Sequence, residues 1–220
     1  MRRGRIGFMA NQPVEVRTAE EDDLEACLAL DDSYTSTHTY QMEVTRGEPG
    51  SVPFNMNSAT VTLGDAPVSI TFRAVKLPRA RKVLGPIANA IRSGNEQFQM
   101  SRLAAWQSAD LCLVAQQGSK LCGYIFVTVV PGSGIAWISA LVVANSMRKQ
   151  GVGSMLLAAA RRWARYGQGI NVRAFMLEVP IRNYPAAAFC RKEGFNFCGY
   201  TDYTFSNGEV VMLFASPVVI

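Results

Sequence analysis

The sequence is poor in residues that hold metals. It contains one histidine, His38, and five cysteines that form no Cys-x-x-Cys pair. Ordinary zinc sites combine several His and Cys ligands, so zinc chemistry is excluded and we expect no metal. A Ser–His–Asp triad would have to use His38. An odd number of cysteines, most of them in apolar surroundings, indicates reduced core residues rather than a disulfide framework.

Long apolar runs are also missing. None approaches the roughly 18 residues of a membrane-spanning helix. Residues 6–10 are too few for the core of a signal peptide, although basic residues precede them. The formal charge of +5 is small for 220 residues, and an anionic small ligand is enough to explain it. The sequence therefore predicts a cytoplasmic protein whose partners are small molecules, with no membrane and no nucleic acid among them.

The glycine loops of two large nucleotide-binding groups are missing too. Neither Gly-x-x-x-x-Gly-Lys-Ser/Thr nor Gly-x-Gly-x-x-Gly occurs, so a nucleoside triphosphatase and a dinucleotide fold are unsupported. What is present is a β-rich apolar run over residues 135–143, then a turn with Arg148, Gly151 and Gly153, then apolar residues at helical spacing. Glycines let the backbone approach a ligand, and the N–H groups of a helix's first turn attract phosphate. The pattern predicts a pyrophosphate cradle; a generic strand–turn–helix connection is the alternative.

The length and the 49% of hydrophobic residues favour one domain with one core. We predict a mobile basic arm over residues 1–13 and a single domain over 14–220, with a loop insert at 47–67 inside a long hairpin connection. Thr18 and Glu21 indicate a capping box before the first helix, and a polar loop is expected over 31–38. Strands are predicted at 14–17, 40–45, 68–75, 110–116, 121–130, 135–143, 172–179, 195–205 and 209–214. Helices are predicted after Thr18, at 96–107, after Gly153 and at 184–192.

The order of these elements indicates a mixed α/β fold. It starts with antiparallel strands and contains one βαβ crossing. Strands 40–45 and 68–75 alternate as exposed edge strands do. Residues 77–94 carry Pro78, Gly85 and Pro86, which break any long element.

The chain contains two short motifs with family signatures. The first is Arg148, Lys149, Gln150, Gly151, Val152 and Gly153, and the second is Asn183, Ala186, Phe189, Cys190, Gly194 and Phe195. They resemble motif A and motif B of the Gcn5-related N-acetyltransferases. Segments such as LALDDSYTST, FRAVKLPRARKV and GFNFCGYTDYTF resemble streptothricin acetyltransferases, so the likeness spans nearly the whole chain after Pro13. The resemblance implies this family's α/β (α+β) fold, with an antiparallel amino-terminal meander and a βαβ core that binds acetyl-CoA.

The resemblance also implies which residues hold the co-substrate. The end of the strand would pair with the pantetheine amides, the turn would hold the pyrophosphate, and motif B would contact the pantetheine end. The residues expected to bind acetyl-CoA are Leu141, Val142, Val143, Arg148, Lys149, Gln150, Gly151, Val152, Gly153, Ser154, Asn183 and Ala186.

The chain departs from the family at two catalytic positions. Ser139 and Ala140 stand where many relatives carry Glu-Asp, so Asp31, Asp32, Glu178 or a water chain are the candidate bases. Cys190 stands where the family usually has the tyrosine that protonates the coenzyme A sulfur. It is either a proton donor or a small packing residue.

Acceptor recognition is expected from the polar loop and the tail. Asp31, Asp32 and Tyr34 resemble an acceptor-binding segment, and Tyr203 is a further candidate. Acidic side chains attract a cationic amine, although the two aspartates could simply end the first helix in solvent.

The predicted activity is therefore acetyl transfer to a primary amine of a small cationic acceptor, such as a streptothricin-like antibiotic. Acetylation of a protein N-terminus or lysine and a non-catalytic acyl-CoA-binding regulator are the alternatives. A homodimer is the assembly considered.

Overall fold

The computed structural model describes residues 12–46, 58–63, 66–83, 103–104, 106–167, 171–202 and 208–218. The strands within these residues are β1 (Val14–Thr18), β2 (Tyr34–Arg46), β3 (Ser58–Leu63), β4 (Ala66–Val83), β5 (Leu111–Gln117), β6 (Lys120–Val130), β7 (Ile135–Val143), β8 (Ala174–Pro180), β9 (Asn196–Thr201) and β10 (Val211–Pro217). The main helices are α1 (Asp23–Leu28), α2 (Val152–Tyr166) and α3 (Tyr184–Lys192).

The strands form two sheets. The larger has the order β1-β5-β6-β7-β8-β10-β9, and the smaller has the order β2-β4-β3. Every neighbouring pair is antiparallel except β7 and β8, which are parallel. Helix α2 connects this parallel pair, as a βαβ crossover requires. The predicted mixed α/β architecture with an antiparallel meander is confirmed.

Helix α2 packs closely on the larger sheet because its apolar residues recur on one face. Leu156, Leu157 and Ala160 are fully buried there. Gly123 of β6 lies beneath the helix, and a Cβ on it would be 3.3 Å from the side chains of Val152 and Leu156. A side chain at this position would push the helix and the sheet apart. The opposite face of the sheet carries a second apolar cluster: Cys27, Val114, Tyr124 and Phe126.

The smaller sheet is held to the rest of the fold by aromatic contacts. The ring of Phe72 on β4 lies 5.1 Å from that of Phe197 on β9. On β2, the ring of His38 stacks on Tyr184 of α3 at 4.5 Å, and Tyr40 donates its backbone N–H to the Ile181 carbonyl. Strand β2 therefore contacts both α3 and the end of β8.

The predicted capping box is wrong. Thr18 ends β1, and the N-cap of α1 is Asp22, whose side chain makes no capping hydrogen bond. The carboxylate of Asp23 instead accepts the Glu20 N–H at 2.8 Å and two hydrogen bonds from Arg17. The Arg17–Asp23 ion pair and the Glu20 N–H bond therefore stabilise the start of α1, in place of the reciprocal Thr18–Glu21 hydrogen bonds of a capping box.

The polar loop predicted over residues 31–38 is a loop only as far as Ser33. Tyr34 and Thr35 already pair with Val83 and Lys82 of β4, because ladder pairing outweighs the low strand propensity of a polar segment. Likewise, β4 is the central strand of its sheet and not an edge.

Strand β4 also continues past the position where Pro78 was expected to break it. The register shifts between Ser36 and His38, so Pro78 lies in a bulge where no ladder hydrogen bond is required of it.

Several predicted features fall on residues that are not described. These are residues 1–11 of the arm, most of the helix predicted at 96–107, and Tyr203. Within the 47–67 insert, Ser58–Leu63 is strand β3 and pairs with β4. No helix among the described segments is long and apolar enough to cross a membrane.

Candidate active site

Strands β7 and β8 separate toward their carboxyl ends. Their pairing is confined to Ile135–Trp137 and 174–176, whereas β7 remains paired with β6 as far as Val143. Within the described residues, the second half of β7 therefore makes no backbone pairing with β8. A strand edge of this kind offers backbone N–H and C=O groups to an extended ligand, and Leu141, Val142 and Val143 lie in this half.

A β-bulge lies at the start of the separated part of β7. Ile138 pairs with Val127 and Ala140 pairs with Phe126, so Ser139 is the extra residue. Its hydroxyl donates to the Phe126 carbonyl oxygen at 3.3 Å. Bulges re-aim the backbone and are frequent beside active sites. The bulge thus occupies the position where relatives were expected to carry an acidic pair.

The turn between β7 and α2 has an unusual backbone. Lys149 and Gly151 have left-handed φ values of 61° and 88°. Left-handed residues within a turn direct successive N–H groups toward one point, which makes a concavity for anions. Gly151 is also the N-cap of α2, and in the described turn no side chain caps this end and no acidic residue lies in the first turn. The N–H groups of the first turn are therefore suited to a phosphate.

Helix α3 contacts the first turn of α2. A Cβ on Gly153 would lie 3.3 Å from the ring of Phe189, so glycine allows the helices to approach. The Ser154 hydroxyl donates to the Glu193 carboxylate at 2.6 Å. At the start of α3, the Asn183 side chain accepts the Ala186 N–H at 3.1 Å. The predicted coenzyme residues of the two motifs thus lie on two helices in contact.

Arg148 joins this turn to the segment before β2. Its Nε donates to the Val143 carbonyl at 2.9 Å, Nη1 to the Ser33 carbonyl at 2.6 Å and Nη2 to the Asp31 carbonyl at 3.0 Å. Burial lowers the pKa of Arg148, and the carboxylates of Asp31 and Asp32 oppose this effect. The guanidinium therefore acts as a brace between two segments of backbone.

The residues predicted for acceptor recognition lie beside this brace. Asp31 accepts hydrogen bonds from the Ser33 N–H at 2.8 Å and hydroxyl at 2.9 Å, and from the Asn145 amide at 2.9 Å. The Ser33 hydrogen bonds are the main reason why the pKa of Asp31 is lowered. Its carboxylate is thus held in place next to the turn.

Tyr34 lies among three charged side chains that act on its pKa. The pKa of Tyr34 is raised to about 12; burial is the main cause, Glu209 and Asp32 also raise it, and Arg182 lowers it. Arg182 donates to Glu209 at 2.6 Å through Nε. Sequence reasoning missed Arg182 and Glu209, although Arg182 directly precedes the motif residue Asn183.

The two remaining catalytic candidates differ in their surroundings. Cys190 is 2% exposed and packs in the main core beside Ala187, and burial raises its pKa to about 12. Glu178 is exposed on β8, while its neighbours Leu177 and Val179 face the core that includes α2. Because side chains alternate along a strand, Glu178 lies on the other face of the sheet.

The family of this chain is shown by a match over the region that contains both motifs. Residues 84–195, just over half of the 220-residue chain, match the family model described as "Acetyltransferase (GNAT) family". The chain belongs to the GNAT acetyltransferases. It is accordingly an acetyl-CoA-dependent N-acyltransferase, as expected from its motifs. The roles of individual residues stay predictions.

Solved acetyltransferase structures resemble most of the chain. A nourseothricin acetyltransferase is 23% identical with a TM-score of 0.67, over 94% of this chain and 99% of that one. A putative streptothricin acetyltransferase from Bacillus anthracis, in complex with acetyl coenzyme A, is 18% identical with a TM-score of 0.64 over the same shares.

The ribosomal-protein-S18-alanine N-acetyltransferase of Escherichia coli is 16% identical with a TM-score of 0.52, over 94% of this chain and 96% of that one. At these identities the likeness shows the fold. No curated protein matches the chain in sequence.

Proposed function

We propose that this GNAT protein acetylates a primary amine of a small cationic acceptor, such as a streptothricin-like antibiotic, in the cytoplasm. One observation carries the proposal: Arg148 holds the acidic segment before β2 directly against the turn that suits a pyrophosphate. This contact supports the proposal because it fixes an acidic segment, which attracts cations, beside the turn proposed for the donor.

The donor side fits acetyl-CoA. The left-handed backbone at Lys149 and Gly151 and the uncapped start of α2 suit its pyrophosphate. The separated half of β7 offers hydrogen-bonding groups to the pantetheine amides, with Asn183 and Ala186 at the start of α3. Bound acetyl-CoA supplies a thioester whose acetyl group is open to attack by an amine.

The proposed acceptor side combines two carboxylates with one uncharged phenol. Asp31 and Asp32 attract a cation, and Tyr34 keeps its hydroxyl proton because burial holds its pKa at about 12. A phenol in this state can donate one hydrogen bond and accept others. This set suits an acceptor with several ammonium and hydroxyl groups better than one apolar amine.

Proton transfer requires groups other than the acidic pair of the relatives. The attacking nitrogen must lose a proton, and Asp32, Glu178 or an ordered water are the candidate bases. The bulge at Ser139 exposes backbone N–H groups beside the separated strand, which suits stabilisation of an oxyanion. Catalysis would then rest on positioning and backbone dipoles more than on a dedicated acid.

The test compares acceptors by release of free thiol from acetyl-CoA. We expect saturable turnover with streptothricin, slower turnover with spermidine and none above background with an N-terminal peptide. The Asp32→Asn variant should raise the acceptor KM, while Asp22→Asn, on the exposed start of α1, should not. A response to the peptide alone would contradict the proposal, and so would acetyl-CoA binding without turnover across the panel.

A further inference from the structure

A cavity of about 190 Å³ lies between the smaller sheet, α3 and the last two strands. None of its lining residues belongs to the set predicted to hold acetyl-CoA or the acceptor. Those residues come from β2, β4, the end of α3, the turn that follows it, β9 and β10: Tyr40, Phe72, Arg191, Phe195, Asn196, Phe197, Met212 and Phe214.

The floor of the cavity is aromatic and buried. Tyr40, Phe72, Phe195 and Phe214 are each at most 5% exposed. An apolar cavity of about 150 Å³ is large enough to take up benzene, so the space here accommodates one aromatic ring with a short substituent. Ring edges and faces of this kind pack favourably against another ring at centroid separations of about 4.5–7 Å.

The polar part of the cavity is cationic. The Arg191 guanidinium donates to the Tyr40 hydroxyl and lies over the Tyr40 ring, 5.4 Å from its centroid. In the described parts of the chain, the salt bridges involve Arg17, Arg73 and Arg182 and none includes Arg191. Guanidinium N–H groups are the preferred partners of carboxylates.

Tyr40 adds a second donor next to Arg191. Burial raises the pKa of Tyr40, so the hydroxyl keeps its proton. A phenol that accepts one hydrogen bond still has that proton to donate. One guanidinium and one phenol, placed over an aromatic floor, match a ring that carries a carboxylate.

We propose that this cavity is a binding site for a small aromatic carboxylate, with the ring on the Phe72–Phe214 floor and the carboxylate on Arg191 and Tyr40. The site is separate from the proposed acetylation site, and the proposal holds whichever amine is the acceptor.

The experiment titrates the 220-residue protein with phenylacetate, by calorimetry and by NMR of methyl-labelled methionine. We expect saturable binding with Kd below about 1 mM and a shift of the Met212 methyl signal, because Met212 lines the cavity. Two matched ligands isolate the groups: 2-phenylethanol keeps the ring without the charge, and acetate keeps the charge without the ring. Each should bind at least about tenfold more weakly.

The Arg191→Gln variant should lose about tenfold in phenylacetate affinity. Arg162→Gln, on the exposed side of α2, is the matched control and should retain it. Equal affinity for phenylacetate and 2-phenylethanol would overturn the proposal, as would saturation without a Met212 shift or no saturation at 10 mM, about tenfold above the expected Kd limit. The ligand comparison uses the wild-type protein, so it decides the matter even if Arg191→Gln folds poorly.

Discussion

The burial of Cys190 bears on whether this motif residue donates a proton or only packs in the core. It stands where the family resemblance predicts a tyrosine, and its thiol is nearly inaccessible with a pKa of about 12. A thiol with so high a pKa keeps its proton at neutral pH and is a weak general acid. Its neighbours in the core, Ala187 and Phe195, favour the packing interpretation.

Replacing Cys190 by alanine tests this interpretation. We expect kcat to change less than about twofold, which is about 0.4 kcal/mol in activation free energy. The free energy of unfolding should fall by about 1 kcal/mol because a buried atom is lost. Thiol-release kinetics and thermal melting measure the two. Cys198→Ala, at an exposed position, is the control, and a tenfold fall in kcat without a loss of stability would identify Cys190 as a proton donor.

Arg148 supports a second residue-level prediction. Lysine keeps the charge but cannot reproduce the planar fork that reaches the Val143, Ser33 and Asp31 carbonyls. Arg148→Lys should therefore raise the acceptor KM about fivefold, or about 1 kcal/mol. The affinity for acetyl-CoA, measured by calorimetry, should change less. Arg162→Lys is the matched control, and an effect confined to acetyl-CoA would mean that the side chain contacts phosphate.

Local spacing made much of the site predictable. The glycine-bearing turn, the helix that follows it and the helix at 184–192 were predicted from residues that are neighbours along the chain. Arg182 and Glu209 were not predictable, because their ion pair joins the end of β8 to the start of β10. Such a pair becomes visible only when the register of two strands is known.

Strand β1 and helix α1 are joined by the ion pair of Arg17 and Asp23. The hydrogen bond from Arg17 is the main reason why the pKa of Asp23 is lowered. A carboxyl whose pKa is lower in the folded than in the unfolded state stabilises the fold above its unfolded pKa of about 4. That contribution is lost as the pH falls through the folded pKa.

Asp23→Asn should therefore lower the melting temperature at pH 7 and lose this difference from the wild type as the pH falls toward 3. Thermal melting across this pH range measures it. Asp22→Asn alters the adjacent carboxyl, which makes no capping bond, and serves as the control. Parallel pH profiles for the two variants would contradict the assignment.

Elements with a clear apolar period were predictable, and β4 shows why others were not. Its sequence has Pro78 in the middle, and only its partner β2 reveals that the bulge there accommodates a proline. The strand therefore depends on pairing with residues some forty positions earlier. The polar start of β2 was mistaken for loop for the same reason.

At the scale of the whole molecule, Phe72 is the contact that attaches β4 of the smaller sheet to β9, where it meets Phe197 and Tyr200. Phe72→Ala should cost about 3 kcal/mol in the free energy of unfolding. If the two sheets unfold together, near-ultraviolet and far-ultraviolet circular dichroism should report one shifted transition. Val44→Ala, exposed on β2, is the control and should change stability by less than about 0.5 kcal/mol. Two separate transitions in the wild type would show that the smaller sheet melts alone.

The position of β1 in the larger sheet has a consequence for biosynthesis. Val14 pairs with Gln117, so the strand that is translated earlier waits for β5 to leave the ribosome before it can form its ladder. Pairing across so long a stretch of chain raises the contact order and slows folding. Until that moment β1 has no strand to pair with, and nascent chains halted before residue 111 should engage chaperones through this unpaired segment.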